Sequence, residues 1–307
     1  MESIINDLST KLKKLNSRRF SLLVINILLI VVFVVAYFKV AFYLRDNYNI
    51  NSRIIRYSCL PLIYFLYYYL KKKKDAFNRL YDKFIIEDVM RSCYPNWLYN
   101  QEAKIDMDTV YQSYLVNKGS SMDIINHISG DIGNTNFSFA ELKVLKNQYL
   151  GGKLPKKLFH GYYFIFDNNK VIESRLFVRP RLLKDYGNLD FNEKKILTDT
   201  NEFDNRFTTF SDDPIKARYI LTPALMARMI DFEKNYQNMI SFLFYKDKLY
   251  IAFKGKKNFL EPSLFKRITV DTINRQMDIF KLIGKIVEEL NIDNDIWVKE
   301  NKEREGM

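Results

Sequence analysis

Phe20 to Phe38 reads FSLLVINILLIVVFVVAYF, nineteen residues without a charge. As a helix rising about 1.5 Å per residue, this run covers roughly 28 Å, the thickness of a bilayer core. A signal peptide is the competing reading, but its apolar region runs about 7 to 15 residues and closes on small residues. Here the run continues into Tyr37, Phe38, Lys39 and Val40, which favours a membrane span over about residues 20–42.

A second apolar stretch, Ile54 to Leu70, reads IIRYSCLPLIYFLYYYL and is interrupted by Arg56 and Pro61. Its uncharged part, Tyr57 to Leu70, is fourteen residues, a length that also suits a buried or re-entrant helix. Two features favour a second span over 54–70. Arg56 stands near one end, where its stem can reach the headgroups, and a helix proline is tolerated in a membrane when neighbours satisfy the freed carbonyl. Tyr64, Tyr67, Tyr68 and Tyr69 crowd the other end, where amphipathic rings sit half in lipid and half in water. Asn26, inside the first stretch, could bond across to the second helix, but reads more simply as a tolerated single polar group worth under about 1 kcal/mol.

Charge sets the orientation, because cytoplasmic flanks carry the Lys and Arg excess. Lys11, Lys13, Lys14, Arg18 and Arg19 precede the first stretch, and Lys71, Lys72, Lys73 and Lys74 follow the second. Both blocks inside requires an even number of spans, so the lysine run argues for a hairpin independently of hydropathy. Lys39, Arg45, Arg53 and Arg56 in the intervening region blur the contrast. Of the formal net charge of +12, residues 1–74 hold +10, from thirteen bases against three acids; the other 35 bases and 33 acids leave +2. The basic balance is therefore mainly topogenic and gives the remainder little claim to nucleic acid. Cys59 and Cys93 are too few for a disulfide framework and are not spaced as metal ligands.

The expected organisation is a basic N-terminus (1–19), a transmembrane hairpin (20–70), a basic and helical juxtamembrane segment (71–130) and an α+β domain (131–307) with an antiparallel sheet and flanking helices. Phe77, Leu80, Tyr81, Phe84 and Ile85 recur at helical spacing up to a stop at Pro95, and a second helix is expected at 107–116. From Asn136 the period changes towards two. Strands are expected around Phe137–Val144, Tyr162–Phe166 and Ser174–Val178, with Gly151-Gly152 and Asp167-Asn168-Asn169 as turns, and Gly130–Asn134 as a tight turn before the first strand. Ser211-Asp212-Asp213-Pro214 and Thr222-Pro223 carry the chemistry of helix starts. Ile240–Phe244 and Leu249–Phe253 read as a hairpin across Tyr245–Lys248, and Ile273 opens an amphipathic helix to about Leu290, before a charged tail at 299–307. The alternation of a doubly wound parallel sheet is absent.

Sequence chemistry gives no assembled catalytic set. Neither GxxxxGK[ST] nor GxGxxG occurs, so no nucleotide cofactor is expected. His127 and His160 lack a metal-binding spacing, so no metal is expected; His160 reads as structural sooner than as a base. No GxSxG elbow is present. Arg175, Phe177, Arg179 and Arg181 share one strand parity with Lys184 nearby; a solvated face explains them more simply than a nucleic-acid surface. Asp212-Asp213 reads as a cap sooner than as a paired-carboxylate site.

The stretch Asp131–Leu142, then Phe159-His160-Gly161-Tyr162 with Phe166-Asp167, then Glu202–Phe207, then Ser211-Asp212-Asp213 leading into ARYILTP (Ala217–Pro223) and LYIAF (Leu249–Phe253) resembles a bacterial membrane-protein family known as domain of unknown function thirty-one thirty-seven. The similarity runs from about Phe77 to Leu260, with His160 standing where a variable or basic residue is expected. The resemblance implies two N-terminal spans followed by a cytoplasmic domain, and brings no activity or cofactor with it. The motif residues it singles out are Asp131, Gly133, Phe159, Gly161, Phe203, Phe207, Asp212, Asp213, Arg218, Thr222 and Pro223, while Lys71, Lys72, Lys73 and Lys74 are expected at the membrane surface. Together these readings point to a multi-pass bacterial inner-membrane protein, N-terminus and domain cytoplasmic, whose domain is expected to act as a protein- or lipid-interaction module at the membrane, with membrane lipid and a protein or second copy as partners and without nucleic acid. The alternative is a tethered hydrolase using carboxylates among Asp131, Asp167, Asp212 and Asp213. A channel component is disfavoured because two spans supply few polar lining groups.

Overall fold

A computed structural model describes residues 2–48, 52–100, 105–147, 155–182, 194–236, 240–255, 260 and 262–290. The expected Gly151-Gly152 turn and the 299–307 tail lie outside them. The chain divides into two units, residues 1–93 with 260–276, and residues 94–259 with 277–307.

The first unit is built on two long helices, α1 (Glu2–Tyr48) and α2 (Ser52–Tyr81). A π-helical stretch, Asp82–Glu87, and α3 (Asp88–Cys93) continue α2 without a break up to the residues before Pro95. The helices run antiparallel: Lys11 Nζ lies 2.8 Å from Asp88 Oδ2, and Lys14 Nζ sits 5.9 Å from the Phe84 ring centroid. Phe77, Tyr81 and Ile85 of the anticipated apolar stripe are buried, with Leu15 of α1 also enclosed. The later segment joins this unit through Asn16, whose Nδ2 donates to Ile268 O at 2.8 Å while its Oδ1 accepts from Ile268 N at 3.0 Å. Tyr81 donates its hydroxyl to Gln276 Oε1, and Gln276 Nε2 donates to Leu260 O.

The second unit carries β1 (Leu98–Asn100), α4 (Met107–Gln112), β2 (Ser121–Ile132), β3 (Thr135–Lys146), β4 (Lys156–Pro180), β5 (Lys194–Ile196), α5 (Asn201–Arg206), β6 (Phe207–Ser211), α6 (Pro214–Ile220), α7 (Pro223–Tyr236) and β7 (Ile240–Lys254). α8 (Val270–Leu290) begins in the first unit and ends in the second. The strands form one antiparallel sheet in the order β1-β2-β3-β4-β6-β5, with β7 paired to β4. The fold is thus α+β with an antiparallel sheet, as the patterning predicts.

Four details differ from the sequence reading. The second helix stops at Gln112, short of 116, because Ser113 caps it and Tyr114 turns into the left-handed region at φ 54°. A full strand, β2, precedes the Gly133-Asn134 turn; its alternation is broken by a bulge between Ile125 and Ile128, where Asn126 sits at φ 56°. Asp167-Asn168-Asn169 is not a turn, and neither is Tyr245–Lys248. β4 and β7 each continue through these residues, and the ladder shifts register there, with Asp167 opposite Lys248 and Ile172 opposite Lys246. Turn-type residues here supply a paired irregularity with Lys246 at φ 55°, which bends two long strands together.

Both faces of the sheet are covered. On one, Phe137, Phe139, Phe164, Phe166 and Phe253 are buried beneath Trp97, Phe232 and Phe280, with Trp97 4.7 Å from Phe137 and Phe232 5.6 Å from Phe253 between ring centroids. On the other, Ala140, Leu142, Val144, Phe159, Tyr163, Phe177, Leu243 and Ala252 pack with Val110, Leu115 and Val116. Of the expected solvated arginine face, Arg181 is exposed and Lys184 lies outside the described residues, while Phe177 and Arg179 are part of this second layer. Phe177 is fully buried and Arg179 is 4% exposed, its Nη2 donating to Tyr114 O at 2.9 Å, while the Arg175 guanidinium lies 4.8 Å from the Tyr245 ring centroid. Aromatic neighbours and a left-handed turn carbonyl therefore take up cations that parity alone assigns to water.

Tyr163 gives this core an alkaline limit. Burial pushes its hydroxyl well above its ordinary value near 10, as it does for Tyr162, where the Glu141 charge adds to the effect. A raised folded-state pKa leaves stability intact below about pH 10 and removes it as pH climbs above the unfolded value. Urea midpoints measured at pH 9, 10 and 11 should fall across that range, and should fall less steeply in Tyr163→Phe. An identical slope in both proteins would contradict the assignment.

Candidate functional site

The surface of α1 is the first candidate. Ser9–Asn47 is long and apolar enough to cross a membrane, by length and composition, and among the described residues it alone qualifies. Within it Phe20, Ile25, Ile27, Leu28, Val31, Val32, Val35, Phe38, Val40 and Phe42 are each exposed, 48% or more in every case. So many large apolar side chains left open along a single helix have no counterpart in an ordinary water-soluble surface. The second expected span, 54–70, is helical within α2 but does not meet the same measure among the described residues. Exposed Tyr57, Tyr64, Phe65, Tyr67 and Tyr68 mark its surface. Asn26 Oδ1 is buried and has no hydrogen bond among the described residues, so a bond across to the second helix is not formed through that atom.

The contacts Lys11–Asp88 and Lys14–Phe84 fix how the helices register. Paired positions add up to about 99, which places Lys71–Lys74 level with about Ile25–Leu28. Lys71, Lys72 and Lys73 are exposed and Lys73 Nζ lies 5.5 Å from the Tyr69 ring centroid. The two apolar stretches are consequently offset along the pair. Were a bilayer crossed by both stretches, 20–42 and 54–70, a core of about 30 Å centred on their overlap would run over about residues 26–45 of α1. Lys71 and Arg56 would then fall roughly 4 Å inside its two edges and Lys39 roughly 9 Å inside, depths that long side chains can bridge to headgroups.

The motif residues of the second unit take other places. Gly133 closes the β2–β3 turn at φ 58°, next to exposed Asp131, whose backbone carbonyl accepts from Trp97 Nε1. Phe159 is buried in the second core layer, and Gly161 lies close against the Phe253–Gly255 backbone. Phe203 and Phe207 are buried with ring centroids 5.0 Å apart. Asp212 accepts from Arg175 N at 3.0 Å, and Asp213 caps α6, its carboxylate accepting from Ile215 N and Lys216 N. Arg218 is exposed on α6; Thr222 Oγ1 accepts from Leu225 N, and Pro223 is the first residue of α7.

The four carboxylates proposed for hydrolysis do not meet. Asp131 and Asp167 flank Asn136 in one rank across β2, β3 and β4, with Asn136 Nδ2 and Lys248 Nζ both donating to Asp167. Two strand spacings separate them, roughly 10 Å. Asp212 sits at Arg175, eight residues further along β4 from Asp167. Among the described residues no group of three or more His, Cys, Asp or Glu is placed to hold a metal ion.

What the sequence reading missed is a buried polar chain. Glu141, 1% exposed, places Oε1 3.1 Å from His160 Nε2 and accepts from Asn126 Nδ2 at 3.4 Å through Oε2; Tyr99 in turn donates to Asn126 Oδ1 at 2.7 Å. A signal for it was present, because Glu141 shares strand parity with Phe137 and Phe139 and so had to enter the core. Its bonds join β1, β2, β3 and β4, the kind of fully connected network that fixes one arrangement of strands.

No curated protein matches this chain. The crystal structure of the mycobacterial trehalose monomycolate transport factor A, TtfA, is similar over 66% of this chain and 93% of its own, at 9% sequence identity and a TM-score of 0.38, a likeness too low to carry a functional argument. Residues 157–292 match the model of the family described as "Protein of unknown function (DUF3137)", which is the family that the Phe159–Tyr162, Ser211–Pro223 and Leu249–Phe253 motifs resemble.

Proposed function

We propose that the chain is an integral protein of a bacterial inner membrane, held by an α1–α2 hairpin with both ends cytoplasmic, and that its sheet-bearing unit is an interaction module for a protein or lipid partner at that membrane. The observation that carries this reading is the exposed apolar surface of α1 with bases on its flanks. The offset register supports the hairpin, since centring the bilayer on the overlap leaves no charge but Lys39 more than about 4 Å inside the core. Use of the motif residues as caps, turns and core favours a binding module over the carboxylate hydrolase, whose four candidates are dispersed.

Fusing reporters after Met307 tests the topology. A fluorescent protein fused there should be bright and an alkaline phosphatase inactive; an active phosphatase would place the domain outside and overturn the hairpin.

A further inference from the structure

The segment Ser263–Arg267 reads SLFKR and belongs to the first unit. Phe265 is 85% exposed, among the most open large apolar side chains of the described residues, and both Lys266 and Arg267 beside it are exposed. Left in water, such a ring gains nothing, whereas covering its apolar area is favourable. The loop is nevertheless held in a defined shape. Ser263 Oγ accepts from Phe265 N and Lys266 N, a side-chain turn that presents the ring at its tip. Two contacts then fasten it to α1: Arg19 Nη1 donates to Leu264 O at 2.8 Å, and Asn16 clamps both backbone groups of Ile268.

The position of that fastening matters. Arg19 is the last charged residue before the charge-free run opens at Phe20, itself 60% exposed. The loop therefore lies beside α1 about seven residues, roughly 10 Å, outside the core edge placed near residue 26, just above a headgroup layer about 5 to 8 Å deep, a gap that an aromatic ring and long cationic side chains can span. An aromatic ring with adjacent bases is the composition that this layer favours, the ring for the carbonyl region and the cations for phosphate.

We propose that Ser263–Arg267 is an interfacial anchor, with Phe265 inserted among the headgroups of an anionic bilayer and Lys266 and Arg267 bound to their phosphates. The partner is the lipid surface that α1 enters, on the ground of charge complementarity and of the loop's direct attachment to α1 at the start of the apolar run. This rests on the membrane reading above. It adds that a segment nearly 200 residues beyond the hairpin, joined to Asn16 and Arg19 by hydrogen bonds, touches the same membrane.

The full chain carrying C59S and C93S, with F265C labelled by an environment-sensitive fluorophore, can be reconstituted in phosphatidylethanolamine vesicles containing phosphatidylglycerol. A second preparation carries the label at V35C, mid-way along the exposed α1 surface. Nitroxides on the lipid headgroup should quench the F265C label, and acyl-chain nitroxides should quench the V35C label. K266Q/R267Q should weaken the F265C quenching about twofold or more, as should replacing phosphatidylglycerol by phosphatidylcholine. A quenched V35C label with an F265C label open to aqueous iodide would overturn the anchor and leave the span standing. Failure of both to quench would overturn the membrane reading and the anchor with it.

Discussion

Replacing Gly161 by alanine is expected to cost more than about 3 kcal/mol, enough to leave the sheet-bearing unit largely unfolded in a protein of ordinary stability. A Cβ at this position would stand 1.8 Å from the Phe253 carbonyl oxygen and 2.7 Å from Gly255 N. Both obstacles are backbone, so no side chain can swing away. Strand β7 itself would have to move off β4, breaking the bond in which Gly255 N donates to His160 O at 2.9 Å and disturbing the pairing of Gly161 with Lys254. Gly284 provides the internal comparison. It lies within α8, and a Cβ added there would meet no atom within 4 Å, so Gly284→Ala is expected to be neutral or to stabilise by up to about 1 kcal/mol. Urea unfolding of the full-length variants in detergent micelles separates the two, and a Gly161→Ala protein with an unchanged midpoint would show that the two strands are not in this contact.

The buried polar chain has the second large expected effect. Glu141→Ala removes the acceptor that His160 Nε2 and Asn126 Nδ2 share inside the sheet, and the expected cost is about 3 kcal/mol. Burial decides the size, because water cannot replace the lost carboxylate at a site where Glu141 is 1% and His160 7% exposed. Replacing both partners by apolar residues removes the polar groups together with the need to satisfy them. Glu141→Leu/His160→Leu should accordingly cost at least about 1 kcal/mol less than the sum of the single changes. Additive costs would mean that the two side chains stabilise the sheet separately. A network of this type selects strand register as well as contributing stability, since a shift by one residue would turn Glu141 to the opposite face.

These two positions also show what could be read in advance. The α+β class, the long helices and the C-terminal amphipathic helix follow from local period, which a single sequence states directly. The cap roles of Asp213 and Thr222 are equally local, being set by residues two or three positions away. Long-range pairing is different. Asp167-Asn168-Asn169 and Tyr245–Lys248 carry real turn chemistry, and only their meeting across β4 and β7 converts two turns into a shared bend. Glu141 was legible as an inward-facing carboxylate from parity with Phe139, but not its partner, because His160 lies nineteen residues on in another strand. Arg175 and Arg179 failed for the same reason, since the Tyr114 turn that receives them lies some sixty residues earlier. The loop at Phe265 gave no local sign at all; its interest comes from being fastened at Arg19.

Insertion of α1 in a bilayer is the claim on which the rest depends. Membranes from cells producing the full chain can be washed with alkaline carbonate, which strips proteins held only by surface charge or by partners. The account predicts that the chain remains in the membrane pellet and is released only by detergent. Recovery of the intact protein in the carbonate supernatant would contradict it.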